Sequence, residues 1–256
     1  MPRLGLGTYR AYGTDAVRAI HAAFELGYRL LDTSANYANE DDVGRAIASG
    51  AVPREEIFVT TKVEETDQRL RTVRLALEAS LRRLCLEYVD LYLVHWPLHE
   101  RTNDTWRAME GLLRSGLTRS IGVSNFEVSD LEQLFATATV EPAVNQIKYN
   151  PAAQRRDLRG YCVDRGIAVE AWAPVMRGHA NELPVLARIG RAHGKTPEQV
   201  CLRWILQKGA LAIPKSVHEA RLQENANVYD FELGAAEMRA IDEVGGSRGN
   251  GVGRGS

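Results

Sequence analysis

The chain has 256 residues, of which 45% are apolar, 25% charged and 7% aromatic, with 32 basic against 33 acidic side chains and a formal net charge of −1. This balance excludes a disordered, collagenous or coiled-coil chain and offers no basic excess to neutralise nucleic-acid phosphates. No run of about 18 apolar residues crosses a membrane, and Met1-Pro2-Arg3-Leu4 has a basic flank without the apolar stretch of a signal peptide. Cys85, Cys162 and Cys201 are far apart and form no C-x-x-C pair, which favours a reducing, cytoplasmic setting over a disulfide framework or a zinc cluster.

Apolar spacing predicts the elements in chain order. A strand over residues 4–8 is followed by a helix over 15–26, with Val17, Ile20, Ala23 and Phe24 on one face. Strands follow over 28–32 and 57–62, then a helix over 68–84 that turns Leu70, Val73, Leu77 and Leu81 inward. Further strands fall over 89–95, 120–124, 143–146, 168–172 and 210–213, with helices over 131–137, 158–165 and 197–207 between them. Thr196 before Pro197 is a helix start, and Gly27, Gly50, Gly116, Gly166 and Gly209 each follow a helical run, as helix-ending glycines do. Residues 245–256 carry six glycines and read as a mobile tail beyond a single domain over 1–244.

Eight strands alternating with helices over about 250 residues is the pattern of a (β/α)8 TIM barrel, an α/β fold with a parallel sheet. A doubly wound sheet is the alternative, and two motifs argue against it. Gly5-x-Gly7 follows the first strand, but Arg10 stands where a dinucleotide fingerprint needs its third glycine. A Tyr-x-x-x-Lys pair is also absent, because Phe58, Val144, Arg191, Trp204 and Leu211 precede the five lysines by four residues.

Barrel chemistry sits where strands end. The second, third and fourth strands end at Asp32, Lys62 and His95, and Tyr37 follows in the loop after Asp32. Taken singly, Asp32 could cap a turn, Lys62 could extend its head to solvent, His95 could be a satisfied core histidine, and Tyr37 could be packing. Together they suit proton delivery to a carbonyl oxygen: a nearby ammonium lowers the pKa of a phenol, an aspartate holds that ammonium, and an imidazole donates to the oxygen as charge develops. No side chain stands out as a covalent nucleophile, so reduction by an external hydride donor fits better than hydrolysis. A metal-dependent hydrolase is a rival, but no strand carries H-x-H, and Pro97 separates His95 from His99.

The sequence resembles the aldo-keto reductase family over nearly its whole length, and within it bacterial members of the diketogluconate-reductase type. The matching segments are Leu4-Gly-Leu-Gly-Thr-Tyr9, Leu31-Asp-Thr-Ser-Ala-Asn-Tyr-Ala-Asn-Glu40, Phe58-Val-Thr-Thr-Lys62 and Asp90-Leu-Tyr-Leu-Val-His-Trp-Pro97. Ile121-Gly-Val-Ser-Asn-Phe126, Asn145-Gln-Ile-Lys-Tyr-Asn-Pro151 and Ile213-Pro-Lys-Ser216 follow, with Arg221, Glu224 and Asn225. The resemblance implies NADPH-dependent reduction of aldehydes and ketones and a tetrad of Asp32, Tyr37, Lys62 and His95, with Tyr37 as general acid. It also implies a nicotinamide site from Ser124, Asn125 and Gln146, with Trp172 stacking where the family commonly has Tyr. Lys215, Ser216 and Arg221 then meet a 2′-phosphate, Glu224 and Asn225 the adenine, and Gly7, Thr8, Tyr9 and Asp32 complete the cofactor positions.

Tyr9 and Trp96, with Tyr37 and His95, are the expected substrate walls. The usual N-terminal hairpin is nearly absent, since the first strand begins at about residue 4, and the substrate-facing loops are short, so an open pocket is expected. Some relatives of this type keep NADPH as a regulatory ligand without catalysis; the intact tetrad argues against that reading. A monomer acting on a small carbonyl compound, without a metal, is the expectation.

Overall fold

The computed structural model describes residues 1–246. Eight parallel strands, β1 Leu6–Gly7, β2 Leu30–Asp32, β3 Phe58–Val63, β4 Leu91–Val94, β5 Ile121–Ser124, β6 Val144–Lys148, β7 Ala168–Trp172 and β8 Leu211–Ala212, pair in chain order. Bridges from Leu4 to Ala212 and from Gly7 to Lys215 join the first strand to the last and close the barrel. Among the described residues ten α-helices pack outside: α1 Gly13–Glu25, α2 Glu40–Ser49, α3 Thr72–Leu84, α4 Thr102–Arg114, α5 Val128–Phe135, α6 Arg156–Asp164, α7 Pro184–His193, α8 Pro197–Gln207, α9 Glu219–Ala226 and α10 Ala235–Gly246.

The apolar residues divide into two bodies. Most lie between the sheet and the helices, where Val59, Tyr92, Val123 and Ala171 from strands meet Ile20, Leu77, Leu131 and Ile205 from helices. A small separate cluster of Leu91, Leu93 and Val144, with Phe58 and Ala168 against it, plugs the interior. The strands are therefore apolar on both faces, which is why they read as continuous apolar runs rather than alternating ones. Glycine makes room for the plug. A Cβ on Gly122 would lie 2.7 Å from the Val144 carbonyl oxygen and 2.8 Å from a Leu93 methyl group, and one on Gly7 would lie 2.9 Å from the Ile213 oxygen.

Local chemistry sets the element ends. Thr196 and Gln199 form a reciprocal capping box before α8, with Pro197 at its first turn. Gly27, Gly116, Gly166 and Gly209 adopt positive φ, whereas Gly50 does not, at φ −81. The spacing placed α3 too early. Residues 65–67 form a short 3-10 turn, and the Gln68 amide donates to the Trp96 carbonyl at 2.8 Å, tying the β3–α3 loop to the end of β4. Leu70 accordingly lies before the helix and is exposed, and Cys85 ends α3 at φ 54. The last helix also runs past the expected boundary, through 245 and 246, because Gly245 packs without a side chain against Gln154. The rest of the expected tail, 247–256, lies outside the described residues.

A methyl group at position 122 has backbone on one side and the plug on the other, so it cannot be accommodated by rotating a flexible side chain. Gly122→Ala is expected to cost about 1–3 kcal/mol of stability, read as a lower urea midpoint. An unchanged midpoint would contradict the close packing of β5 on β6 and Leu93.

Candidate active site

Asp32 ends β2, and Lys62 is the penultimate residue of β3, so parallel pairing brings the two to the same end of the barrel. The Lys62 ammonium is fully buried, and it donates to both Asp32 carboxylate oxygens at 2.8 Å and to the Thr33 carbonyl at 2.8 Å. An isolated buried ammonium would lose its proton. Here burial pushes the Lys62 pKa down, but Asp32 and Tyr37 outweigh it, so the net shift is upward and the group stays charged.

Tyr37 closes a 3-10 turn over Ala35–Tyr37, and Ala38 at φ 52 reverses the chain there. Its hydroxyl lies 3.5 Å from Lys62 Nζ, at the limit of a hydrogen bond. The expected lowering of the phenol pKa is corrected: burial raises it, and Lys62 only partly offsets the burial. Tyr37 is therefore held as a neutral phenol, a proton donor rather than a resting base. His95 follows β4, and burial, with Lys62 nearby, pushes its pKa down to about 3, so it is neutral. Its Nδ1 lies 3.3 Å from the Ser34 hydroxyl. When Ser34 donates there, Nε2 carries the ring proton and is free to donate.

The aromatic rings gather as the sequence suggests. Tyr9 meets Tyr37 edge-on at 5.1 Å, Tyr37 meets His95 at 5.9 Å, and His95 lies 6.5 Å from Trp96. Tyr9 is exposed and Trp96 half-buried, giving an apolar rim around a polar floor.

The positions expected around a nicotinamide are brought together and fixed by one another. The Ser124 hydroxyl donates to the Gln146 carbonyl at 2.9 Å, and the Asn125 amide, at φ 62, donates to the His95 carbonyl and to Ser124 Oγ, each at 3.0 Å. The Trp172 ring nitrogen donates to Asn125 Oδ1 at 2.9 Å, which locks the indole at the end of β7. Gly7 and Thr8 lie at the barrel seam, with the Thr8 hydroxyl donating to the Asp32 carbonyl at 2.9 Å.

After β8, Lys215 is exposed, Ser216 is buried and turns back onto the His218 carbonyl, and Arg221 is exposed on α9. Glu224 accepts from the Thr196 hydroxyl at 2.7 Å, so it also braces α8, and Asn225 is buried. Lys215 has no acidic partner among the described residues. Partial burial and the neighbouring Arg10 lower its pKa instead. Lys215 and Arg221, neither ion-paired among the described residues, suit an anionic phosphate, and paired amide groups beside an indole suit a carboxamide-bearing ring, so the donor set fits a phosphorylated nicotinamide dinucleotide.

Sequence reasoning missed four contributors. Ser34 buttresses His95. Asn39 donates to the Thr8 and Ala11 carbonyls and accepts from Thr33, stitching the β1 and β2 loops together. Arg10 faces Lys215. Glu170 sits fully buried inside the barrel, where burial and Asp32 raise its carboxyl pKa to about 8. Only Glu170 left a readable signal, an acid inside the apolar run Ala-Val-Glu-Ala-Trp.

Removing the ammonium leaves Asp32 buried without its counter-charge. Lys62→Met is expected to lose about 3–5 kcal/mol, and adding Asp32→Leu to recover most of it. Urea unfolding of the single and double variants checks this, and a double variant as unstable as the single one would contradict a compensated pair.

The comparisons with known proteins point to one family. A model described as the aldo/keto reductase family matches residues 3–245. Glyoxal reductase of Bacillus subtilis (strain 168) is 46% identical over 245 residues, covering 95% of this chain and 89% of that protein. An aldo-keto reductase from a Medee basin deep-sea metagenome library superimposes with a TM-score of 0.94 at 40% identity, covering 97% of this chain and 93% of that one. An aldo-keto reductase crystallised with NADPH superimposes with a TM-score of 0.88 at 35% identity, covering 95% of this chain and 84% of that one. The chain belongs to the aldo/keto reductase family and is an oxidoreductase that reduces carbonyl groups to alcohols with NADPH.

Proposed function

We propose that Tyr37 donates the proton in this reduction, that Lys62 and Asp32 hold the charge balance beneath it, and that His95 orients the carbonyl oxygen. The observation that carries this reading is the fully buried Lys62 ammonium, clamped by Asp32 and 3.5 Å from the Tyr37 hydroxyl. NADPH supplies the hydride. As the carbonyl carbon gains the hydride, the oxygen gains charge, which the His95 Nε2–H and the Tyr37 hydroxyl meet. The Tyr37 proton moves to that oxygen and completes the alcohol. The phenolate left behind is stabilised by the Lys62 ammonium until solvent returns a proton. Neutral His95 acts as a donor without competing for the Tyr37 proton.

In this reading Ser124, Asn125 and Gln146 hold the carboxamide and Trp172 covers the ring. Gly7, Thr8 and Tyr9 line the seam beside it. Lys215, Ser216 and Arg221 hold the 2′-phosphate, with Arg10 adding charge, and Glu224 and Asn225 meet the adenine. The substrate is a small aldehyde or 1,2-dicarbonyl compound, the chemistry in the name of the Bacillus subtilis relative, bounded by Tyr9, Tyr37, His95 and Trp96. We place it in the cytoplasm as a monomer working on small molecules; the separated, free cysteines support a reducing compartment, and the balanced charge supports a partner other than nucleic acid.

Tyr37→Phe keeps the ring and removes the proton. Its turnover with glyoxal and NADPH is expected to fall by at least about 10²-fold while NADPH still quenches tryptophan fluorescence. Near-normal turnover would remove Tyr37 from the role.

A further inference from the structure

Glu170 is a fully buried ionisable group beside the tetrad that the proposed proton transfer does not use. It shares a strand face with Trp172, two residues deeper in the barrel, and pairs in register with Gln146. The Gln146 amide nitrogen donates to Asp32 Oδ2 at 2.8 Å and to Glu170 Oε2 at 2.6 Å. Both amide protons are thus spent on carboxyl oxygens, which leaves only the amide oxygen to face a ligand. The second Glu170 oxygen is buried with no partner among the described residues, so the Gln146 bond only partly offsets the burial of the carboxyl.

The charged groups facing Glu170 are Asp32 from β2 and Lys62 from β3. β6 contributes the Gln146 amide, and β8 sets Leu211 opposite in register. One ammonium thus serves two carboxylates, and Asp32 holds it directly.

We infer that Glu170 is a positioning residue for carbonyl reduction: it anchors the Gln146 amide so that its oxygen accepts from the cofactor's carboxamide NH2, and its charge biases Tyr37 toward the phenol. The inference rests on the roles proposed above for Tyr37 and Gln146. Below its raised pKa, Glu170 is neutral and acts as an anchor alone. As the pH rises and it ionises, a second negative charge faces Lys62 and Asp32. That charge makes a Tyr37 phenolate costlier, so the phenol needed for reduction survives to higher pH.

Two variants separate the anchor from the charge. Glu170→Gln keeps an oxygen for the Gln146 amide but cannot ionise. Its NADPH affinity is expected to stay within about twofold, while the alkaline limb of kcat/KM for glyoxal reduction moves down by about half a pH unit or more. Glu170→Leu removes the anchor. NADPH should then bind about tenfold more weakly, while the 3-acetylpyridine analogue, which has no amide protons to offer Gln146, changes by no more than about twofold. An unmoved alkaline limb in Glu170→Gln, or equal weakening of both cofactors by Glu170→Leu, would overturn the inference. Should Glu170→Leu not fold, the pH profile of the near-isosteric Glu170→Gln decides the matter. Wild-type protein that reduces no carbonyl compound would instead fail the reading of Tyr37, which keeps the two failures apart.

Discussion

The buried Lys62–Asp32 ion pair is the constraint around which the site is arranged. A charge in an apolar barrel is tolerated only when a partner and hydrogen bonds replace water. Asp32 and the Thr33 carbonyl provide that replacement from one strand end. Removing either charge would strand the other, so the pair is a poor source of net stability and a strong determinant of local geometry. Its position follows from the parallel β2–β3 pairing, which sets Asp32 and Lys62 at the same end of the barrel.

Tyr37 shows how burial and charge divide the work. Lys62 alone would make the phenol more acidic, yet loss of water acts more strongly and keeps the proton on the ring. That state suits reduction, where the group must give a proton as the oxygen becomes basic. The ammonium matters at the following moment, when a phenolate has formed and has no water to solvate it. His95, kept neutral by the same burial, contributes orientation without a second labile charge. Around these groups, Asn39 and Asn125 bond to backbone carbonyls and Ser34 to the His95 ring, which holds the loops and the imidazole in place. The site is therefore built before any ligand arrives.

Much of this was legible in the residues. The strands are mostly buried apolar runs, several of them preceded by helix-ending glycines, so their number, order and parallel pairing could be read directly. Asp32, Lys62 and His95 fell at neighbouring strand ends for the same reason. The start of α3 was not legible, because a Gln68 side chain bonded to a distant carbonyl overrode the apolar spacing that had included Leu70. The boundary at 244, read from the glycine-rich stretch, fell two residues short, because Gly245 lets the last helix continue past it and meet Gln154. The direction of the Tyr37 shift also escaped, since a neighbouring Lys is visible in sequence but the depth of burial is not. Glu170, Ser34 and Arg10 act through contacts that only the closed barrel creates.

The most direct measurement is a pair of isotope effects on kcat/KM for glyoxal reduction, one with NADPH carrying deuterium at the transferred position and one in heavy water. If Tyr37 gives up its proton from this buried cluster as the carbonyl gains its hydride, both substitutions slow the reaction, and the solvent effect persists when the hydride is deuterated. A full hydride effect with no solvent effect at any pH would mean that the oxygen is not protonated in that step, and the role assigned to the Lys62–Asp32 pair beneath Tyr37 would be wrong.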